Sequence, residues 1–307
     1  MRWLAAALAL AGPAAALELS APLDCPHCYI QSYVDRDPGP GAADYTCGAL
    51  SYDGHKGTDF RTATIAEMRR GVPIIAAAPG VVVGVRNDQP EGVSIPGQEC
   101  GNGVVIAHDG GFETQYCHLA PGSITVKAGD TVERGRKLGL MGLSGNTEFP
   151  HLHFSVRRDG EPVDPFDGRR MASGCTLADE ETLWAERPAY RSGGLVDAGF
   201  TDAPPELEAI RAGPLPKLTS APAALIIWAR FYGLSKGDEI QLILAGPNGE
   251  THAESVTVLD RSRAEEMRFT GVRSPQPGWP AGRYWGVITL RQNGVLEKTK
   301  VISHDLN

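Results

Sequence analysis

Three short motifs hold side chains that could bind a metal and move protons around it. In Tyr52-Asp53-Gly54-His55-Lys56-Gly57-Thr58-Asp59-Phe60 an imidazole and a carboxylate stand in an H-x-G-x-D pattern. The glycine and threonine between them disfavour a helix, so a strand edge or bulge is the better placement. One such pair is commonplace on protein surfaces and needs a partner before it suggests a site. That partner is Pro150-His151-Leu152-His153-Phe154-Ser155-Val156. In a strand, Leu152, Phe154 and Val156 point one way and His151 and His153 the other. Two imidazoles side by side on a polar face have no packing role, although a solvated pair is the plain alternative. One as ligand and one as base would give both a use. The third motif is Tyr116-Cys117-His118-Leu119, where alternation places Thr114, Tyr116 and His118 on one face. Alone, His118 reads as structural.

The elements that must carry these motifs are mostly strands. From about residue 72 to 166 short Val/Ile runs are broken by Gly, Pro, Asn and Asp, the punctuation of an all-β unit. Val104-Val105-Ile106 and Phe112 to Tyr116 flank Asp109-Gly110-Gly111, a hairpin signal. Between Asp167 and about Pro216 charged and small residues dominate, with short helices expected over Leu177 to Arg187 and Pro205 to Ala212. This stretch reads as a linker. From Ala223 alternation returns in several short runs with turn signals between them, which predicts a second, immunoglobulin-like β-sandwich.

At 307 residues two domains are expected. The net charge of −8, with no Lys/Arg run, argues against a nucleic-acid binder. Residues Leu4 to Leu10 form an apolar run behind Arg2 and ahead of Ala14-Ala15-Ala16, which reads as a signal peptide cleaved after Ala16. The run is too short to span a bilayer, which takes about 20 apolar residues. Export puts the six cysteines, at 25, 28, 47, 100, 117 and 175, in an oxidising compartment where disulfides are expected. Cys25-Pro26-His27-Cys28 could be a redox pair or half a metal site, but no second C-x-x-C accompanies it and structural bridges are the better reading. Folding the hairpin sets Cys100 opposite Cys117, so that bridge is predicted from geometry. For the other four, Cys28 with Cys47 and Cys25 with Cys175 is only a preference among three pairings.

Taken in order, H-x-G-x-D, Y-x-H-L, G-D-x-V and H-L-H-F resemble the lysostaphin-like, LytM-type zinc endopeptidases of bacterial cell walls. The resemblance spans about residues 48 to 166, including Gly101 to Ile106, Val126 to Val132 and Asp159 to Pro165. It implies a duplicated-hybrid-motif β-barrel or sandwich, with one zinc ion held by His55, Asp59 and His153. His118 and His151 are then the catalytic imidazoles beside the metal, and His108 has no catalytic duty. The sequence departs from the family's pattern at Phe149, where glycine is common, in a longer Arg86 to Cys100 segment, and in the cysteine pairs.

Three protein ligands leave a fourth position for water, the pattern of catalytic zinc. Zinc brings the pKa of such water toward about 7 and polarises a carbonyl. The expected organisation is a signal peptide (1–16), a disulfide-tethered extension (17–47), the peptidase domain (48–170), a linker (171–216) and the β-sandwich (217–307). The expected activity is hydrolysis of peptidoglycan peptide cross-links in the periplasm or outside the cell. The second β domain would position the enzyme on a protein partner or on the wall. A non-catalytic wall-binding or amidase-activating module, and a secreted peptidase acting on proteins, are the alternatives.

Overall fold

The alternation over His151–Val156 becomes a central strand of the N-terminal half: Leu152, Phe154 and Val156 are fully buried in the core. A computed structural model describes residues 17–175 and 182–307. The expected signal peptide therefore lies outside the described residues, as does part of the helix expected at Leu177 to Arg187. The described part of that helix, 182–187, contains no helical residues. Among the described residues no helix is long and apolar enough to cross a membrane.

In the N-terminal half the strands are β1 (Tyr29–Ser32), β2 (Thr58–Arg61), β3 (Pro73–Ile75), β4 (Gly80–Arg86), β5 (Asn102–Ala107) and β6 (Phe112–Leu119). They are followed by β7 (Thr131–Val132), β8 (Lys137–Leu140), β9 (His151–Arg158) and β10 (Glu161–Val163). One sheet runs β1-β2-β9-β6-β5-β4-β7 with β10 also on β9, and β3 pairs with β8 separately. A single turn and a half of helix, α1 (Ile65–Arg69), is capped by the Thr64 hydroxyl, which accepts from the Glu67 N–H at 3.1 Å. The expected hairpin forms: β5 and β6 pair antiparallel around a 3₁₀ turn at Asp109–Gly111.

The segment expected to be a tethered extension is woven into this sheet. Its strand β1 adds to β2, and Tyr33, Tyr45, Phe166 and Trp184 pack in the shared core. Arg36 is fully buried, donating to Asp167 and to the Gly174 carbonyl. Three disulfides close the described chain: Cys100–Cys117, as the hairpin geometry required, Cys25–Cys28 and Cys47–Cys175. The preferred pairings Cys28–Cys47 and Cys25–Cys175 are thus corrected. A turn with the Cys28 N–H on the Cys25 carbonyl at 3.2 Å folds the C-x-x-C on itself, leaving Cys47 to reach across 128 residues to Cys175.

The C-terminal half is a sandwich of two antiparallel sheets. Its strands are β11 (Gly194–Thr201), β12 (Ala224–Leu234), β13 (Glu239–Ala245), β14 (Thr251–Val258), β15 (Arg263–Arg273), β16 (Gly282–Gln292) and β17 (Val295–Leu306). Sheet β11-β12-β15 packs on β14-β13-β16-β17 around a separate apolar core that includes Leu225, Phe231, Leu242 and Tyr284. This three-plus-four arrangement fits the immunoglobulin-like expectation. The linker reading needs one correction, because β11 lies within 171–216 and pairs with β12 over its whole length. Only α2 (Leu207–Ala212) matches the helices expected there. Strand β11 was missed because Gly194, Ala198 and Gly199 dilute its apolar pattern, and pairing with β12 supplies what local propensity lacks.

Candidate metal centre

Adjacent strands β2 and β9 put Asp59 directly opposite His153 and Arg61 opposite His151. His55 sits in the turn ahead of β2, with Gly54 at φ 74°. Glycine at 57 is a close-approach requirement: a Cβ there would lie 2.7 Å from the His153 ring and 2.8 Å from the Phe154 carbonyl oxygen. The H-x-G-x-D loop can therefore lie flat against β9 only with glycine at its centre.

His55, Asp59 and His153 each offer one ligand atom, and these atoms all lie within 4.8 Å of one another. Asp59 Oδ1 is 3.1 Å from His55 Nε2 and 2.9 Å from His153 Nδ1, and those two nitrogens are 3.1 Å apart. The far side of each ring is held. His55 Nδ1–H donates to the Tyr33 carbonyl at 2.7 Å, which leaves the Nε2 lone pair facing inward. Ser155 Oγ lies 2.9 Å from His153 Nε2 and can accept its proton, which frees Nδ1. Three acceptors then converge on one point with His55 and Asp59 buried, so a cation fits the set, and two imidazoles with one carboxylate suit zinc.

The electrostatics agree. Burial works against the Asp59 carboxylate, but the charges of His55 and His151 and hydrogen bonds from His153 and His55 hold it well below the usual carboxylate range. Burial likewise disfavours protonated His55, yet the Asp59 charge and hydrogen bonds raise its proton affinity above the ordinary value. The cluster attracts positive charge, from a proton or from a metal.

His118 and His151 stand beside this set with ring centroids 4.6 Å apart. His151 Nδ1–H donates to the Phe149 carbonyl at 3.0 Å and its Nε2 lies 3.5 Å from Asp59 Oδ1. His118 Nδ1–H donates to the Ser144 carbonyl at 2.8 Å. Burial, then the neighbouring His151 and His153, push His118 down to about 3, and burial also lowers His151. Both are neutral near pH 7 and present unprotonated Nε2 atoms to the site.

The structure thus brings together all five residues that the motifs singled out, with one difference in how His118 arrives. Alternation put His118 on the face of Thr114 and Tyr116. In the structure those two face the core, where the Tyr116 hydroxyl accepts from the Ala77 N–H at 2.8 Å. His118 has φ 65°, and this left-handed residue turns its ring to the groove side, beside Cys117. His108 bonds the Pro79 carbonyl and Thr114 Oγ1 at the hairpin turn, apart from the cluster.

Three contributors went unread in the sequence. Ser155 shares the face of His153, two residues on, so the same period of two could have found it. Tyr52 stacks on His55 with centroids 4.3 Å apart while staying 54% exposed, and it lines a cavity of about 380 Å³ with Lys56, Gln115 and Arg157. The Tyr33 carbonyl is a backbone group and leaves no trace in residue identity.

Residues 53–165 match peptidase family M23. The peptidoglycan DD-endopeptidase ShyA of Vibrio cholerae is 38% identical over 110 residues, covering 36% of this chain and 22% of that protein. The DD-carboxypeptidase/endopeptidase Mpg of Neisseria meningitidis is 30% identical over 135 residues, 43% of this chain and 27% of that one. A crystal structure of a zinc-containing peptidase from Vibrio cholerae is 32% identical, covering 47% of this chain and 37% of that one, with a TM-score of 0.34. The chain spans between a fifth and a quarter of the length of the first curated relatives it matches. Motif order and family match together make residues 53–165 of this chain a peptidase family M23 domain.

Proposed function

We propose that this protein is an exported zinc metallo-endopeptidase that hydrolyses peptide cross-links of bacterial peptidoglycan. The observation that carries the reading is the pair of imidazoles, His118 and His151, each anchored through Nδ1 on a backbone carbonyl beside the His55, Asp59 and His153 donor set. A purely structural metal site has no use for them. Zinc, when bound, would supply a Lewis acid that activates water and polarises the scissile carbonyl.

The chain's own residues do the rest. His151 accepts the water proton at Nε2, a position its Nδ1 bond to Phe149 keeps unprotonated. The proton that His151 takes from the water is handed to His118 Nε2, whose ring centroid lies 4.6 Å away, and from there to the leaving amine as the C–N bond breaks. Exchanging the two roles would leave the site unchanged. The buried Asp59 carboxylate stabilises the imidazolium formed beside it. Relatives named as peptidoglycan DD-endopeptidases support a wall substrate, and the three disulfides support an oxidising compartment.

The test is mass spectrometry of the products released from purified walls of several peptide chemistries, with casein as control. Shortened muropeptide cross-links carrying one new amino and one new carboxyl terminus are expected. Cleavage of casein with intact walls would favour a peptidase acting on proteins, and no cleavage of either would favour a binding module.

A further inference from the structure

The C-terminal sandwich, which lies outside the matched segment 53–165, touches the candidate centre through a chain of contacts. Arg61, two residues after Asp59 on β2, is 1% exposed and faces His151 across the β2–β9 pair. Its guanidinium lies over the Phe149 ring, 4.3 Å from the centroid. The Phe149 ring in turn packs on the His151 ring at 4.6 Å, on an imidazole already flanked by His118.

A buried guanidinium needs an anion, and for Arg61 that anion comes from the other half of the molecule. Glu265 on β15 is 3.3 Å from Arg61 Nη2. The same carboxylate receives Arg211 Nε at 2.8 Å and Arg230 Nη1 at 3.2 Å. Asp197 pairs with Arg230, which also donates to the Ala63 carbonyl next to β2. Gln31 on β1 accepts from Arg61 on its remaining side. Without Glu265, Arg230 would keep Asp197 and Arg211 would keep the exposed Glu208, but the buried Arg61 would have no carboxylate and would lose the contact that holds it against Phe149.

We propose that Glu265 and Arg61 are positioning residues for catalysis: through Phe149 the C-terminal sandwich sets the placement of the His151 ring. The sandwich is then a working part of the site as well as any docking module. The inference rests on the peptidase reading for its kinetic arm only. It predicts that loosening the strut affects turnover more than substrate capture, because the ring that moves is the one that transfers protons. Displacing a reacting group by about an ångström can cost up to about 100-fold.

The experiment uses the full zinc-loaded chain with Glu265→Ala, Phe149→Leu and the double variant. Zinc content and thermal unfolding are measured for each, along with kcat and KM on a cross-linked muropeptide. Glu265→Ala is expected to lower kcat by about tenfold with KM changed less than about twofold, and the double variant to be no slower than the worse single one. Independent, multiplying losses, or a fall in kcat matched by lost zinc, would overturn the strut. Where Glu265→Ala fails to fold, Glu265→Gln serves in its place, with a smaller kcat loss expected because its amide oxygen can still accept from Arg61. A second readout needs no activity. In ring-labelled protein the His151 signals, identified by their loss in His151→Ala, should shift in Glu265→Ala while those of His108 stay put. Unmoved His151 signals overturn the proposal, whereas shifted signals in a chain that cleaves no peptide would sink only the peptidase reading.

Discussion

At the candidate metal centre, one hydrogen bond fixes the tautomer of each imidazole whose Nδ1 meets a carbonyl: His55 on Tyr33, His118 on Ser144 and His151 on Phe149. Carbonyls only accept, so the tautomer follows and Nε2 is the atom each ring leaves free toward the cluster. His153 works through Nδ1 instead, with Ser155 behind it. The mature chain is accordingly expected to carry about one zinc, and His55→Ala, Asp59→Ala and His153→Ala each to lower its affinity in a chelator competition, since three ligands leave no spare. Unchanged affinity in all three would remove the site. His118→Ala and His151→Ala are expected to keep zinc and lose roughly 100-fold or more in kcat, the scale of general acid–base contributions. Metal loss in either would mean that a ligand had been misassigned.

At the scale of elements, β6 and β9 do the positioning, and β6 does so by breaking its own pattern. His118 is held in a left-handed conformation, which costs a non-glycine residue of the order of 1 kcal/mol. Cys117, next to it, is bridged to Cys100 with Cα atoms 4.8 Å apart, and the His118 N–H donates to the Cys100 carbonyl at 2.9 Å. The bridge thus braces the strained residue. His118→Gly should unfold at a higher temperature than His118→Ala, with both inactive, and equal melting points would argue against strain at this position. The Cys100→Ser/Cys117→Ser double variant should keep zinc and lose turnover, which a metal assay run beside a kinetic one will read.

Across the whole molecule, the N-terminal arm, the M23 segment and the sandwich are held by buried charge as well as by apolar packing. One such cluster reports on pH. Asp164 is fully buried with Oδ1 taken by the Phe166 N–H, and burial, then the nearby Asp167, raises it to about 7. Arg36, 3.7 Å away, donates more closely to Asp167 and offsets this only in part. A carboxyl raised in the folded state binds its proton more tightly there than in the unfolded chain. Its contribution to stability is therefore full below the unfolded value near 4 and is lost as pH rises through about 7. Asp164→Asn should flatten the fall in melting temperature between those limits, and an unchanged pH slope would assign the effect elsewhere.

Periodicity and motif order made much of this legible before any fold was known. Alternation across Leu152, Phe154 and Val156 fixed which side of β9 the imidazoles take, because a strand has only two faces. Hairpin register made Cys100 and Cys117 partners, because an antiparallel turn leaves little choice of which residues meet. What sequence could not carry was anything set by backbone groups or by distant chain. The Tyr33 carbonyl behind His55 has no side-chain signature. The turn of His118 out of alternation depends on a local φ that its neighbours impose. The pairing of Cys47 with Cys175 spans 128 residues and follows from where the arm packs, not from spacing. Strand β11 exists because β12 is there to pair with it. Glu265 meets Arg61 across 204 residues for the same reason: two separately readable β units bury charge against each other, and only the folded chain decides which charges those are.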